Sequence, residues 1–281
     1  MSRTSRLPLA RRHAVLAALL TLLLALGLVL LPSASDAAGR HRRGPKPTVV
    51  LVHGAFADAS GWAGVTTRLQ RSGYTVIAPA NPLRGVATDS TYLASLLATI
   101  DGPVVLVGHS YGGEVITNAA LGDPDVKALV YVAAFAPDEG ETSGELSTKY
   151  PGSELTPENL VVRPFRVSAT ESGLDASIDP AVFRRVFCAD LPARTAAAMA
   201  VAQRPGALST LQEPSGEPAW KTIPSWYLVA RQDRAIPPDS ERFMAKRMNA
   251  ITREINSSHV AMISHPGVVA DMIKDAARAT R

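Results

Sequence analysis

The sequence predicts an α/β fold in which a mostly parallel sheet carries helices on both faces. Three observations lead to this prediction. Short apolar segments rich in β-branched residues alternate with segments of helical periodicity through most of residues 47–281. One buried strand, at residues 104–107, runs directly into a glycine-bracketed serine and then into a helix. The alternation is interrupted at about residues 138–221, which predicts a helical cap inserted over the active edge of the sheet.

The elements follow one another in chain order, each with its own start and stop signals. Gly73 ends the first helix, as glycine often does, and Asp89 or Ser90 is predicted to cap the second. The predicted strands are residues 48–53, 74–78, 104–107, 127–134, 225–230 and 252–255. The predicted helices outside the cap are residues 60–71, 89–100, 112–120, 240–248 and 266–278, and the cap holds helix-like segments at 180–187 and 192–203.

The N-terminus has the composition of a secretory leader. A basic segment is followed by the apolar run 14–31 and then by small residues up to Ala38. This order predicts a signal peptide at residues 1–38, a linker at 39–46 and a secreted protein. The alternative is an uncleaved membrane anchor, because a run of eighteen residues in which only Thr21 is polar comes close to the ~17–25 that span a bilayer. The export route, general secretory or twin-arginine, is left open.

Charge argues against nucleic acid as a partner. The 29 basic and 25 acidic residues give a net charge of +4, but seven of the basic residues and only one acidic residue lie in residues 1–43. The rest of the chain is therefore slightly acidic and lacks a basic binding surface. The single cysteine, Cys188, cannot form an intrachain disulfide and is either a buried small hydrophobe or a free thiol. The sequence does not indicate an oligomeric state.

Three polar residues follow predicted strands, where ligands bind in open α/β sheets. Ser110 lies in the G-x-S-x-G turn, Asp233 follows strand 225–230, and His259 follows the last strand. A serine hydroxyl needs a neighbouring base, and that base needs a group that fixes its tautomer. We therefore predict a catalytic triad of Ser110, Asp233 and His259. Asp138 and His265 are the rival acid and base.

Acyl transfer also needs backbone donors for the developing oxyanion. The N–H of Tyr111, which begins the helix after the serine, is the first candidate. The second is the N–H of Ala55, with Phe56 as the next choice, because Gly54 allows the loop to bend inward. No metal site and no cofactor are predicted. His53 and His109 lack carboxylates at ligand spacing, and the glycines after Ser110 are not followed by the Lys-Ser/Thr of a phosphate loop.

These motifs carry a resemblance. His53-Gly54-Ala55, the run Gly-His-Ser-Tyr-Gly-Gly at 108–113, Asp233 and His259, in this order across residues 47–281, resemble the α/β-hydrolase superfamily. The small cap and residues 220–233 resemble the branch that holds plant methyl esterases, hydroxynitrile lyases and uncharacterised bacterial hydrolases. The resemblance implies an α/β-hydrolase fold and an ester hydrolase without metal or organic cofactor, in which Ser110 is acylated and His259 passes the proton to the leaving alcohol.

The predicted function is a serine esterase acting on small or medium carboxylic esters. Two alternatives are kept: a ligand-binding, receptor-like protein with little turnover, and a lyase of the hydroxynitrile type. The lyase members of the resembling branch carry a lysine directly after the histidine, whereas this chain has Val260. Apolar residues of the cap suggest a pocket for an apolar acyl or alcohol group, although each could serve core packing instead; they are Phe165, Phe183, Phe187, Met199 and Trp220.

Overall fold

The computed structural model describes residues 44–280 of the chain. The predicted signal peptide at 1–38 lies outside the described residues, as does most of the predicted linker at 39–46. Among the residues that are described, no helix is both long enough and apolar enough to cross a membrane.

A six-stranded sheet forms the centre of the fold, with strand order β2-β1-β3-β4-β8-β9. Every neighbouring pair in this sheet is parallel, which confirms the predicted sheet. Parallel strands place all their carboxyl ends at one edge, so the loops after β3, β8 and β9 open on the same side. The strands are β1 Thr48–Val52, β2 Val76–Ile77, β3 Val104–Ser110, β4 Val126–Ala134, β8 Ser225–Ala230 and β9 Ile251–Ile255.

Helices cover both faces of this sheet. Alternate residues of β1 show the arrangement: Val49 and Leu51 pack under α1 and α9, whereas Val50 and Val52 pack under α2, α3 and α7. Successive side chains of a strand point to opposite faces, and both faces are apolar here, so the strands appear in the sequence as continuous apolar runs. The helices outside the insert are α1 Ala63–Arg71, α2 Val86–Leu97, α3 Tyr111–Ala119, α7 Pro238–Arg247, α8 Ala261–Ser264 and α9 Pro266–Ala279.

Helix α2 does not begin where the sequence predicts. The expected cap at Asp89 or Ser90 is wrong, because the helix already starts at Val86. Its first N–H groups donate to the carboxylate of Glu213, from Val86 at 2.7 Å and from Ala87 at 2.9 Å. Glu213 belongs to the insert, so the start signal of this core helix lies far away in the chain. Asp89 lies inside the helix instead, where it is buried and accepts the hydroxyl of Tyr111 at 3.0 Å.

The insert between β4 and β8 is mixed rather than helical, which corrects the predicted helical cap. Three antiparallel strands form a second sheet, and three short helices accompany it. The hairpin strands are half exposed, with Val162 at 45% and Leu174 at 50% exposure. They therefore lack the continuous apolar run that predicts the strands of the central sheet. The elements are α4 Ser143–Thr148, β5 Leu160–Arg166, β6 Ser172–Ile178, α5 Phe183–Phe187, α6 Ala193–Val201 and β7 Gly206–Ala207.

The single cysteine packs as an apolar residue. Cys188 directly follows α5 and is fully buried. Burial raises the pKa of its thiol to about 12, so the thiolate does not form at neutral pH. Of the two interpretations open at the level of the sequence, the structure therefore favours the buried hydrophobe.

Candidate active site

Ser110 occupies a strained turn between β3 and α3. Its φ of 54° and ψ of −128° lie in the left-handed region, which non-glycine residues rarely adopt. The turn is so tight that a Cβ on Gly108 would come within 2.6 Å of the carbonyl oxygen of Gly112. The Ser110 carbonyl accepts the N–H of Phe135 at 3.0 Å, which fixes the peptide. The strand, turn and helix predicted from the sequence are all present.

Asp233 and His259 form a buried pair. Nδ1 of His259 lies 2.5 Å from Oδ2 of Asp233, and neither side chain is exposed. The other carboxylate oxygen of Asp233 accepts the N–H groups of Ala235 at 2.6 Å and Ile236 at 3.0 Å. Because the Asp233 carboxylate can only accept from the imidazole, Nδ1 of His259 is the nitrogen that donates, and the neutral ring keeps Nε2 as its acceptor.

His259 lies beside the serine turn. Its ring is 4.6 Å from the ring of His109, the residue that precedes Ser110, and 5.0 Å from the ring of Phe187. His109 also donates its Nε2–H to the His259 carbonyl at 3.0 Å, which ties the histidine loop to the turn. Within the described residues Nε2 of His259 is buried and has no hydrogen-bond partner. We expect its bond to the Ser110 hydroxyl to form in the substrate complex, where such contacts commonly tighten.

The structure separates the candidates from their rivals. Asp138 lies at the surface, where it pairs with Lys221 at 2.7 Å. His265 bonds Ser264 through Nδ1 at 2.9 Å and immediately precedes α9, as its position before a proline suggests. Asp233 is thus the carboxylate that His259 contacts. The catalytic roles of Ser110, Asp233 and His259 stay predictions that the geometry supports.

The loop after β1 brings backbone donors close to the serine. A Cβ on Gly54 would lie only 2.6 Å from the Cβ of Ser110, so no larger residue allows this approach. The N–H of Phe56, the second choice as an oxyanion donor, already donates to the Arg204 carbonyl at 3.0 Å. The N–H of Ala55 has no acceptor within the described part of the chain. Tyr111 is the first residue of α3, so its N–H has no intrahelical acceptor either.

His53 orients this loop, a role that the sequence did not reveal. Its Nε2 accepts the N–H of Asn81 at 2.9 Å, so the proton is on Nδ1, which donates to the Gly54 carbonyl at 2.9 Å. Burial lowers the pKa of His53, consistent with this neutral tautomer. In a trans peptide the carbonyl and the following N–H point in opposite directions. Holding the Gly54 carbonyl therefore turns the Ala55 N–H the other way.

A second buried carboxyl, Glu241, lies behind Asp233. Glu241 lies in the first turn of α7. From the sequence alone, an acidic residue at this position indicates only a favourable interaction with the helix dipole. Its Oε2 accepts the N–H of Ala230 at 3.0 Å, and among the described residues its buried Oε1 has no hydrogen-bond partner. Burial and the neighbouring Asp233 carboxylate raise the pKa of Glu241 well above its usual range. Burial next to Asp233 therefore favours the neutral form of the Glu241 carboxyl.

Replacing Glu241 with glutamine is expected to make the protein more resistant to alkaline pH. A carboxyl with a raised folded-state pKa stabilises the fold below its unfolded pKa, and that contribution is lost as pH rises. Glutamine keeps one acceptor and one donor but does not titrate, so the loss, up to about 1.4 kcal/mol per pH unit, should disappear. Urea unfolding at pH 6 and pH 8 measures this difference. Parallel pH dependence in E241Q and the original protein would contradict it, and D239N, on the exposed side of the same helix, is the control.

The described residues hold no group of three or more histidine, cysteine, aspartate or glutamate side chains that could bind a metal ion. The candidate site itself comprises one hydroxyl on a strained turn, one imidazole fixed by a carboxylate, and two backbone N–H groups that find no acceptor in the described part of the chain. This set of groups is suited to acyl transfer.

Comparison with known proteins agrees with this geometry. The model of the alpha/beta hydrolase family matches residues 49–272, which is most of the chain. The chain belongs to the α/β-hydrolase family. This confirms the resemblance predicted from the four motifs.

The relatives of this α/β hydrolase include esterases. An alpha/beta hydrolase of Aspergillus novofumigatus is 28% identical over 83% of this chain and 97% of its own length. Methylesterase 2 of Arabidopsis thaliana is 26% identical over 80% of this chain and 94% of its own length. The crystal structure of polyneuridine aldehyde esterase superimposes with a TM-score of 0.70 and 20% identity, covering 82% of this chain and 99% of that one. The first likeness supports the family, the methylesterase supports the predicted class, a carboxylic ester hydrolase, and the crystal structure supports the fold.

Proposed function

We propose that the chain is an exported serine hydrolase that cleaves small or medium carboxylic esters through an acyl-enzyme on Ser110. The observation that carries this proposal is the buried Asp233–His259 pair beside the serine turn, in which the histidine Nε2 has no hydrogen-bond partner among residues 44–280. A histidine held in this tautomer can act first as a base and then as an acid. Relatives named as methylesterases support the same class of reaction.

The first half of the reaction forms the acyl-enzyme. His259 Nε2 accepts the hydroxyl proton while Oγ of Ser110 attacks the ester carbonyl carbon. The carbonyl oxygen becomes an oxyanion that accepts hydrogen bonds from the N–H groups of Ala55 and Tyr111, each worth roughly 3 kcal/mol. The bond to the alkoxy oxygen then breaks, and His259 returns the proton to that oxygen, so the alcohol leaves neutral.

The second half repeats these steps with water. His259 takes a proton from a water molecule, whose oxygen attacks the acyl carbon. The bond to Oγ breaks, Ser110 regains its proton, and the acid is released. Asp233 keeps the imidazolium oriented and stabilised through both halves without taking the proton itself.

Covalent trapping tests this mechanism directly. A serine-reactive organophosphate should add one phosphoryl group per chain, and mass spectrometry should locate it on Ser110. With p-nitrophenyl acetate, an acyl-enzyme predicts a burst of about one p-nitrophenol per enzyme before the steady state, if deacylation is the slower half. Modification at another serine, or none at all, would contradict the proposal.

Two other functions are distinguished by the same assays. A receptor-like protein would bind an ester or its products tightly and release almost no p-nitrophenol over many enzyme equivalents. A lyase would release cyanide from a cyanohydrin. The lyase is disfavoured because Val260, an apolar and fully buried residue, follows the histidine and offers no charge for a leaving cyanide.

The export part of the proposal concerns the leader. Its charged, apolar and small-residue order supports cleavage after Ala37 or Ala38. Expression of the full chain in a bacterial host with an export pathway, followed by N-terminal sequencing of the protein outside the cytoplasm, should give a start at residue 38 or 39. Recovery of the intact chain in the membrane fraction would favour the anchored alternative.

A further inference from the structure

Two cavities meet at Phe56. The first, the serine cavity, is about 50 Å³ and is bordered by Ser110, by the donor residues Ala55 and Tyr111, and by residues of the insert. The second, the side cavity, is about 280 Å³ and lies between residues 57–64 and helix α6 of the insert. Phe56 is the residue that borders both of them.

The side cavity lies on the histidine side of the serine. Ile263, four residues beyond His259, belongs to its lining. The ring of Phe56 is 6.4 Å from that of Phe187, which is in turn 5.0 Å from the His259 ring. Among the described residues that border the serine cavity, none lies beyond Leu211 in the chain. The side cavity therefore lies beside the histidine loop, and it meets the serine cavity at Phe56.

The direction of proton transfer indicates which cavity takes the alcohol part of the ester and which takes the acyl part. His259 must reach the alkoxy oxygen to protonate it, so the alcohol part points toward the histidine. The acyl carbon stays bonded to Ser110, and its oxygen faces Ala55 and Tyr111, so the acyl chain extends into the serine cavity. We propose that the side cavity is the alcohol subsite, and that the substrates are esters of a short acid with a long, apolar alcohol. This inference rests on the proposed function.

The lining of the side cavity fits an apolar chain. Most of its residues are apolar or small, and Met199, one of the pocket residues suggested by the sequence, is among them. Its three polar members are Asp58, Ser60 and Thr195, and the Asp58 carboxylate already accepts the N–H of Ser60 at 2.7 Å. This carboxylate repels an anionic group, so an alcohol that carries a carboxylate or phosphate is excluded.

The backbone of Phe56 supports a role at the boundary. Its φ of 62° is unusual for a bulky residue, and the bond from its N–H to the Arg204 carbonyl holds it there. Strain of this kind persists where the surrounding structure fixes a functional position. Because Phe56 borders both cavities, we expect the size of its side chain to limit how much of the substrate each cavity takes.

Two ester series test the assignment with the purified protein. In the first, acetate esters carry alcohols from methyl to octyl; in the second, methyl esters carry acids from acetate to octanoate. We expect kcat/KM to rise along the first series by up to about fourfold for each buried methylene, and to fall along the second. A rise along the acid series with none along the alcohol series would overturn the subsite assignment while leaving the esterase intact. If neither series is hydrolysed, the proposed function itself fails.

A matched pair of variants on α6 locates the subsite. Thr195 is exposed and lines the side cavity one helical turn before Met199, whereas Ala197 is exposed on another face of the same helix. T195W should lower kcat/KM for octyl acetate by about tenfold or more and leave methyl acetate within about twofold. A197W should change neither. An equal loss for both esters in T195W, or no loss for octyl acetate, would overturn the proposal.

Discussion

Replacing Ser110 with alanine is expected to lower kcat for p-nitrophenyl acetate by about 10⁴-fold or more. The variant keeps the two backbone donors and the Asp233–His259 pair but has no hydroxyl to acylate. The fold should survive, because only one oxygen is removed and alanine can adopt the same strained backbone at the cost serine already bears. Stopped-flow absorbance of p-nitrophenol measures the activity, and thermal denaturation measures the fold.

The control for this experiment is S95A. Ser95 lies on the exposed side of α2 and bonds only the carbonyl one turn earlier, at 2.9 Å. Its loss should leave the rate of hydrolysis unchanged. An S110A protein that is folded and still produces p-nitrophenol at the original rate would refute the covalent mechanism.

Replacing Asp233 with asparagine is expected to lower kcat by about 10⁴-fold with little change in the fold. Asp233 now accepts the Nδ1–H of His259 at 2.5 Å. An amide nitrogen at this position would donate to Nδ1 and move the imidazole proton to Nε2. The histidine then cannot take the proton of the serine. Steady-state kinetics across pH 6–9 measures the effect. If the imidazole has the wrong tautomer, kcat of D233N should stay low at every pH in this range.

D138N is the matched comparison, because it changes the rival acid by the same single atom. Asp138 forms its ion pair with Lys221 at the surface, where such pairs contribute ~0–1 kcal/mol to stability. We expect D138N to keep the activity. Loss of activity in D138N together with normal turnover in D233N would transfer the role of the acid to Asp138.

Local sequence patterns are sufficient to predict much of this site. The turn around Ser110 requires small residues at fixed spacing, and those residues are adjacent in the chain. His259 and Asp233 follow apolar strands whose carboxyl ends meet at one edge, so the order of strands and loops alone brings them together. For the same reason the predicted boundaries of the core strands agree with the structure to within three residues, the largest difference being the end of β3 at Ser110.

Contacts between distant segments could not be predicted in this way. The start of α2 depends on Glu213, and the orientation of Phe56 depends on the Arg204 carbonyl. Both partners are remote in the chain, and nothing in their neighbourhood marks them. The raised pKa of Glu241 depends on burial next to Asp233, which a charge pattern near a helix start does not reveal. The strands of the insert escape prediction for another reason. They are half exposed and antiparallel, so they lack the continuous apolar run that identifies strands buried on both faces.

The hydrogen bonds that Glu213 accepts from the start of α2 matter for the design of chimeras between related enzymes. A chimera that carried the insert of a relative without an acidic residue at this position would leave the first N–H groups of α2 without their acceptor. The loss of stability would then affect the core sheet and its helices rather than the exchanged insert. Arg84 adds a second tie, since its guanidinium joins Asp175 at 2.7 Å and the Pro205 carbonyl at 2.9 Å. An exchange of substrate specificity between family members therefore requires that the insert and the segment from Arg84 to the start of α2 be exchanged together.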